Sequence, residues 1–296
     1  MSPSRSLGCG ALALTVGWLA AGPAAAQVTV RSGTAPDIAG ITVFRDQFRT
    51  DIGGGTTAGA NGLFDDGTRQ RREINWDGVG AAFAAPNLLP ANFFNSNSPR
   101  GVVFSTAGTG FAVSGATTDT GTGQPAAANF GNIDASYTTT FSQFSAQRLF
   151  TQLGSTQMDV NFFIPGTTTP AGTRAFGVIF SDVEQAGTTA LQFFDLAGNS
   201  IGAFAAPPQS GATGFSFLGM FINDGSSSIG RVRITLGNTA LGAGVTDNGT
   251  TRDLVVMDDF LYGNPVAVPE PTSLGLLGVG ALGLYIRSRR KAATVA

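Results

Sequence analysis

The sequence predicts an all-β protein, a jelly-roll-like sandwich of antiparallel sheets with one apolar helix before it and another after it. Three observations support this fold class. Between residues 27 and 264, glycine, threonine and phenylalanine are abundant, whereas lysine and glutamate, which favour helices, are scarce. Short apolar runs with period-two alternation recur through this region. Turn residues separate the runs at a steady spacing and no linker divides them, so we expect a single domain at 27–264.

Residues 1–26 predict a signal peptide, whose apolar core is a short helix. Arg5 precedes a weakly apolar run at 11–21. Small residues at Ala24 and Ala26 then occupy the positions that signal peptidase reads, so we expect cleavage before Gln27. A buried N-terminal helix of the domain is the alternative. Signal peptidase and the general secretion machinery are therefore expected partners.

Composition excludes several kinds of functional site. Cys9 is the only cysteine and would leave with the signal peptide, and the chain has no histidine. Disulfides, zinc sites of the His/Cys type and a Ser-His-Asp triad are therefore excluded from the mature protein. The domain contains twelve arginines and eighteen acidic residues. An acidic surface gives no electrostatic reason to bind nucleic acid.

The first half of the domain predicts a few strands separated by long loops. Trp76 is the expected apolar anchor of a strand that ends in a turn at Asp77 and Gly78. The residues flanking 106–109 predict a β-hairpin. The strands are predicted at 28–31, 41–44, 71–76, 101–105 and 110–114, and the loops at 51–61, 81–99 and 115–132.

The second half predicts a denser series of strands, and no internal helix is predicted. Phe176, Val178 and Phe180 alternate and should share one face. Two runs flank the turn at 196–199 and predict a second hairpin. The strands are predicted at 136–144, 156–164, 174–183, 190–195, 200–204, 215–222, 229–236 and 254–262.

Asp258 and Asp259 lie in an otherwise apolar run. Strict alternation would place Val256, Asp258, Phe260 and Tyr262 on one face and Asp259 on the other. A buried carboxylate needs a partner, and calcium prefers hard oxygen ligands, so the pair is a candidate structural calcium site. The alternative is an edge strand, with one aspartate in water and the other bound to an arginine (Arg231 or Arg233) or to turn amides.

Two further kinds of site remain open. Sugar-binding surfaces use exposed aromatic rings, and the candidates are Trp76, Tyr137 and Tyr262. Glycoside hydrolases use paired carboxylates, whose separation in space the sequence does not give.

The segment 265–296 has three parts in a fixed order. Pro269, Glu270 and Pro271 form a triplet through which no helix can run, because each proline lacks a backbone donor and restricts its neighbour. Residues 272–286 are apolar and predict a transmembrane helix of about 22 Å, short for a hydrocarbon core of about 30 Å. Four cations follow, at Arg287, Arg289, Arg290 and Lys291. Since such cations stay in the cytoplasm, the body should face the other side of the inner membrane.

This order of triplet, apolar helix and basic tail resembles the PEP-CTERM sorting signal of exopolysaccharide-producing bacteria. The triplet at 269–271 matches the motif, residues 272–286 the helix and residues 287–291 the tail. The resemblance implies that a membrane protease of the exosortase type cuts near the motif and releases or re-anchors the body. A permanent tail anchor, in which the triplet is only a spacer, is the alternative.

Three functions are therefore considered. The leading hypothesis is an exported, non-enzymatic protein of the cell surface or extracellular matrix, sorted by this signal after a transient stay at the membrane. The second is a carbohydrate-binding module delivered to exopolysaccharide, since the body loosely resembles lectin-like jelly rolls. The third is a hydrolase that uses carboxylates.

Overall fold

Two antiparallel sheets face each other across an aromatic core in the computed structural model, which describes residues 27–119, 125–209, 213–226 and 228–268. The predicted β-sandwich is confirmed. The predicted signal peptide at 1–26, the triplet at 269–271, the transmembrane helix at 272–286 and the basic tail at 287–291 lie outside the described residues. Within the described ranges, no helix has the length and apolar character needed to cross a bilayer.

The larger sheet has eight strands. They are β1 (Val28–Ala35), β2 (Leu63–Asp65), β3 (Gln70–Ile74), β5 (Gly110–Val113), β6 (Phe150–Leu153), β8 (Ala175–Ser181), β11 (Phe215–Ile222) and β13 (Val256–Gly263). Six of them follow the order β1-β11-β8-β13-β3-β2, while β6 pairs with β13 and β5 pairs with β6. The central strand β13 therefore has β8 on one side and both β6 and β3 on the other.

The smaller sheet has five strands. They are β4 (Val102–Ser105), β7 (Gln157–Phe162), β9 (Ala190–Phe194), β10 (Ser200–Ala205) and β12 (Arg231–Thr235). Their order is β10-β9-β12-β7-β4. The antiparallel pair β9–β10 confirms the hairpin predicted around 196–199.

The core between the sheets is built from alternating side chains, as the sequence predicts for β8. Phe176, Val178 and Phe180 are all buried there. Trp76 lies at its centre, stacked on Phe150 with ring centroids 3.9 Å apart. The prediction that Trp76 anchors the core is confirmed.

The strand predicted at 41–44 is wrong, because these residues belong to helix α1 (Ile38–Ile52). The Asp37 side chain caps the helix by accepting from Gly40 N at 2.8 Å. Ile41, Phe48 and Ile52 are buried on one side of α1, at helical spacing. The β-branched residues at 41–43, followed by Phe44, are typical of a strand, whereas the helical spacing of buried residues is visible only when the sequence up to Ile52 is included.

Two further predictions are wrong, besides the expectation that the domain has no internal helix. Residues 136–144 contain helix α3 (Tyr137–Thr140) instead of a strand. The turn at 106–109 does not close a hairpin, because β4 pairs with β7 in the smaller sheet and β5 pairs with β6 in the larger one. A chain that crosses between two sheets and a chain that turns back within one sheet show the same local pattern of apolar runs and glycines.

Two segments of the chain cover different parts of the outer face of the larger sheet. Helix α1 packs on one part of it, and residues 125–149, which include α3, pack on another. Within the second region the Tyr137 hydroxyl lies 2.7 Å from Val245 O and so ties α3 to a distant loop. A third helix, α2 (Phe93–Ser96), contributes two phenylalanines to the central core.

Helix α1 approaches the sheet closely over a pair of glycines. Gly177 of β8 and Gly219 of β11 lie directly opposite each other. A Cβ built on Gly219 would lie 2.8 Å from the Phe48 ring, and one on Gly177 would lie 2.9 Å from it. Because glycine has no Cβ, the Phe48 ring fits over Gly177 and Gly219, and these two glycines set the distance between helix and sheet.

The substitution Gly219→Ala should therefore destabilise the protein. The added methyl group would overlap the Phe48 ring and force the helix or the ring to move, at a cost of about 1–3 kcal/mol in the free energy of unfolding. Gly80→Ala is the control, since nothing lies within 4 Å of its added Cβ and its φ is −64°. Urea unfolding should show a loss for the first variant and no loss for the second. Equal stabilities would show that the helix adjusts freely.

Candidate functional site

The two aspartates of β13 form a β-bulge. Met257 lies opposite Phe180 and Phe260 lies opposite Val178, so Asp258 and Asp259 together face one residue of β8. Because of the extra residue, Met257 and Phe260 both point into the central core. The face assignment predicted from alternation is therefore wrong, and β13 is a central strand instead of an edge.

The bulge also frees a backbone carbonyl, which is bound by the core tryptophan. Trp76 Nε1 donates to Asp258 O at 2.8 Å. This bond satisfies the indole N–H inside the core, where an unpaired donor would be costly. It also fixes Trp76 against the strand, where the Phe260 ring meets it edge-on with centroids 5.0 Å apart.

The Asp258 carboxylate binds the chain that crosses the outer face. Its Oδ2 accepts from Phe144 N at 2.7 Å and from Ser145 N at 3.2 Å, and its Oδ1 lies 2.8 Å from the Ser145 hydroxyl. Of the partners that the sequence leaves open, the turn amides are the ones observed. Arg231 and Arg233 pair with Asp159 instead.

Asp259 lies beside a buried network of acids and arginines beneath α1. Its Oδ2 is 3.8 Å from Arg45 Nη1. Glu73, in the next strand, accepts from Arg49 Nε at 2.9 Å and from Arg71 Nε at 2.6 Å. Burial raises the pKa of Asp259 to about 6, and the nearby Glu73 charge raises it as well. Burial and the Asp259 charge together raise the pKa of Asp258 well above its usual range.

Burial and the neighbouring Asp259 charge both favour the protonated form of Asp258. A proton on Asp258 relieves the repulsion between the two carboxyl groups. Asp258 also has protein donors on both of its oxygens. The calcium site at Asp258 and Asp259 stays a prediction.

The substitutions Asp258→Ala and Asp258→Asn distinguish a hydrogen-bonding role of Asp258 from a role as a calcium ligand. Alanine leaves two buried backbone donors unpaired and should cost about 2–4 kcal/mol of unfolding free energy. Asparagine keeps an acceptor for those donors and a donor for Asp259, so its cost should stay below about 1 kcal/mol. Thermal and urea unfolding measure both values. If calcium instead binds Asp258, asparagine should cost as much as alanine, and both variants should lose any rise in melting temperature on adding calcium.

A second group of acids, which the sequence analysis missed, lies at the ends of β8 and β13. We call Asp182, Glu184, Asp247 and Asp253 the carboxylate cluster. One oxygen from each of the first three lies within 4.8 Å of the other two. Among the described residues, no arginine forms an ion pair with any of the four.

Three acids of the carboxylate cluster, Asp182, Asp247 and Asp253, also hold loops. Leu254 N donates to Asp247 Oδ2 at 2.5 Å, Glu184 N donates to Asp253 Oδ1 at 3.0 Å, and Thr213 N donates to Asp182 Oδ1 at 3.3 Å. Glu184 Oε2 is buried and has no hydrogen-bond donor within the described ranges. Asp182, Glu184 and Asp247 are thus a second group of described residues that could hold a metal ion.

The electrostatics of the carboxylate cluster favour protonation. Burial, followed by the charges of Glu184 and Asp247, raises the pKa of Asp182 to about 8. Burial and contact with Asp247 raise the pKa of Glu184 to about 7. Burial raises the pKa of Asp253 too. Near neutral pH the cluster therefore needs protons or a bound cation to offset its charge.

The free energy of unfolding should fall as the pH rises from about 4 to about 8. Unfolded carboxyl groups lose their protons near pH 4, whereas folded Asp182 and Glu184 keep theirs to about pH 8 and 7. The folded state thus binds more protons across this range, and stability is lost as they leave.

The substitution Asp182→Asn should reduce that fall in the free energy of unfolding. Urea unfolding at pH 5 and pH 8 measures it, with the exposed helix cap variant Asp37→Asn as the control. Parallel pH profiles for Asp182→Asn and the parent would contradict this assignment.

None of the three candidate sugar-stacking rings is exposed. Trp76, Tyr137 and Tyr262 are at most 1% exposed. Trp76 and Tyr262 belong to the core between the sheets, and Tyr137 belongs to the cluster on the outer face. They therefore form no ring platform on the described surface.

The outer face of the smaller sheet carries polar side chains. Along β12, Val232 and Ile234 point into the core, whereas Arg231 and Arg233 point outward. Both arginines bind Asp159, at 3.0 and 2.8 Å. A shallow cavity of about 380 Å³ lies beside them, lined partly by serine, threonine and glutamine. This surface, the polar outer face, offers hydrogen-bonding groups, and the half-buried Phe194 ring on it is covered by the Arg231 guanidinium, 3.8 Å from the ring centroid.

The chain beyond β13 stays bound to the sandwich before it reaches the triplet. Asn264 N donates to Gln70 O at 3.0 Å, and its side-chain oxygen accepts from Arg72 Nε at 2.6 Å. Val266 and Gly172 then exchange two backbone hydrogen bonds of 3.0 Å each. We call these two residues the exit pair. Only residues 267 and 268 separate the exit pair from the triplet.

The segment that follows the exit pair matches a known family model, that of the PEP-CTERM protein-sorting motif, over residues 267–291. The chain carries a PEP-CTERM sorting signal. This signal implies export, anchoring at the C-terminus before processing, and cleavage by an exosortase, a membrane protease. The resemblance of residues 269–291 to the signal, inferred from the triplet, the apolar run and the basic tail, is confirmed.

The body has no comparable match. No curated protein is significantly similar to the chain. A solved structure similar over part of the chain is the enzymatically active domain of tailspike protein 4 from bacteriophage CBA120, with 13% identity and a TM-score of 0.21. The match covers 60% of this chain and 20% of that one, so the chain spans about a fifth of its length. A likeness of this size carries no argument about function.

Proposed function

We propose that this protein is an exported, non-enzymatic component of the cell surface or extracellular matrix, delivered there by its PEP-CTERM signal. The match at 267–291 carries the proposal. Before processing, the body faces the periplasm, because the cations at 287–291 hold the end of the chain in the cytoplasm. After processing, the sandwich passes to the surface or the matrix.

The geometry of the acids supports a non-enzymatic body. Glycoside hydrolases hold two carboxyl groups about 5 Å or more apart across an open site, with room for the sugar between them. In the carboxylate cluster one oxygen from each of Asp182, Glu184 and Asp247 instead lies within 4.8 Å of the other two, and Asp182 is only 2% exposed. Asp258 and Asp259 are buried beneath α1 and residues 144–145.

Carbohydrate binding is the second candidate, and the polar outer face is the surface that favours it. Guanidinium, carboxylate and amide groups there are partly exposed, and sugars are bound through such planar hydrogen-bonding groups. The burial of Trp76, Tyr137 and Tyr262 removes the stacking rings that would strengthen it. The second candidate therefore rests mainly on hydrogen-bonding groups, with the half-buried Phe194 ring beside Arg231.

Replacing Pro269, Glu270 and Pro271 with alanines should trap the full-length protein in the inner membrane. The triplet keeps the strip beside the apolar run extended, and a protease cleft takes an extended strip. The apolar run at 272–286 is the remaining segment that can hold the exported body to lipid. Fractionation and immunoblotting in a host that has an exosortase measure the cut and uncut forms.

Deletion of residues 272–296 is the matched control, because it removes the anchor and leaves the triplet in place. This variant should be released without processing. If the alanine variant is cut and released as fast as the parent, the triplet is only a spacer and the sorting proposal fails.

A further inference from the structure

Both ends of the described body emerge at one end of the sandwich. Asn223 N donates to Gln27 O at 2.9 Å, next to the turn that contains Gly225. Gly225 and Val266 line the same cavity, of about 350 Å³. The start of β1 and the exit pair are therefore neighbours.

The exit pair leaves little chain between the folded body and the sorting signal. Three residue steps from Val266 to Pro269 span at most about 11 Å, and six steps to Thr272 span at most about 21 Å. A domain of this size has a radius of gyration of about 18 Å. As long as the exit pair holds, the sandwich lies close to the bilayer and within about 11 Å of the triplet.

The closeness of the folded body to the triplet obstructs binding of the triplet by a protease. A cleft that binds an extended strip needs several residues whose backbone groups are free. In the folded protein the N–H and C=O of Val266 are taken by Gly172, and Asn264 is held by Gln70 and Arg72. The Val266 side chain is 44% exposed, so it adds little packing, and the pairing rests mainly on two backbone hydrogen bonds. Contacts of this kind open locally without global unfolding.

We propose that opening of the exit pair limits the rate at which an exosortase processes this protein. This inference rests on the proposed function. The pairing of Val266 with Gly172 limits the reach of the triplet from the body to about 11 Å, and the protease engages the strip in the fraction of molecules in which the pairing has opened. Two backbone hydrogen bonds at the surface disfavour that opening by a factor of about 5 to 30.

The substitution Val266→Pro tests the proposal, since proline removes the N–H that binds Gly172 O. In a host with an exosortase, pulse-chase labelling should show the variant cut about 2 to 5 times faster than the parent, because one of the two hydrogen bonds is lost. Val266→Thr is the matched control, because it keeps the N–H and a β-branched side chain, and it should be cut at the parental rate.

An insertion gives an independent test that leaves both hydrogen bonds in place. Gly-Ser-Gly-Ser between Val266 and Ala267 moves the triplet away from the body, so processing should also accelerate. Adding Val266→Pro to the insertion should then give little further gain, because both changes remove the same obstruction.

The outcomes separate this inference from the proposed function. If Val266→Pro keeps the parental melting temperature and is cut at the rate of Val266→Thr, the exit pair does not limit processing, while sorting still holds. An insertion variant cut no faster than the parent overturns the inference too, even if Val266→Pro fails to fold. If the parent and the alanine-triplet variant are both uncut in that host, the proposed function itself fails.

Discussion

The β-bulge at Asp258 and Asp259 is the constraint on which the rest of the sandwich depends. It lies in β13, the strand bounded by β8 on one side and by β6 and β3 on the other. One extra residue puts both carboxyl groups toward the covered outer face, beside residues 144–145 and helix α1. It also frees the carbonyl that fixes Trp76 in the core. The bulge thus connects the core on one face of the larger sheet with the segments that cover its other face.

The same bulge explains where prediction from the sequence succeeded and where it failed. In β8 the period of two is unbroken, and Phe176, Val178 and Phe180 lie on the predicted face. In β13 the extra residue reverses the expected pattern, so Met257 points inward with Phe260. A bulge is set by cross-strand partners, which alternation along one strand does not contain. Helix α1 was not predicted for another reason. Its sequence signals, the Asp37 cap and the buried residues up to Ile52, extend over more than a dozen residues.

The candidate sites differ in how local their sequence signals are. The sorting signal is contiguous, so its order of proline triplet, apolar run and cations can be recognised from the sequence alone. The carboxylate cluster is not contiguous, because Asp182 and Glu184 follow β8 whereas Asp247 and Asp253 precede β13. The antiparallel pairing of β8 with β13 brings them together, and no spacing rule along the chain records that contact. Predicting the carboxylate cluster therefore requires the pairing of β8 with β13, which alternation along each strand did not reveal.

The body reaches stability without the disulfides that exported proteins commonly use, since its chain after residue 26 has no cysteine. Stacked and edge-on phenylalanines around Trp76 fill the core, and buried arginines pair with Glu73 beneath α1. Many polar groups are therefore directed inward to hold layers and loops, as Asp258, Asp253 and Tyr137 do. The exit pair fixes Val266 to this body, one residue before the segment at 267–291 that matches the PEP-CTERM signal.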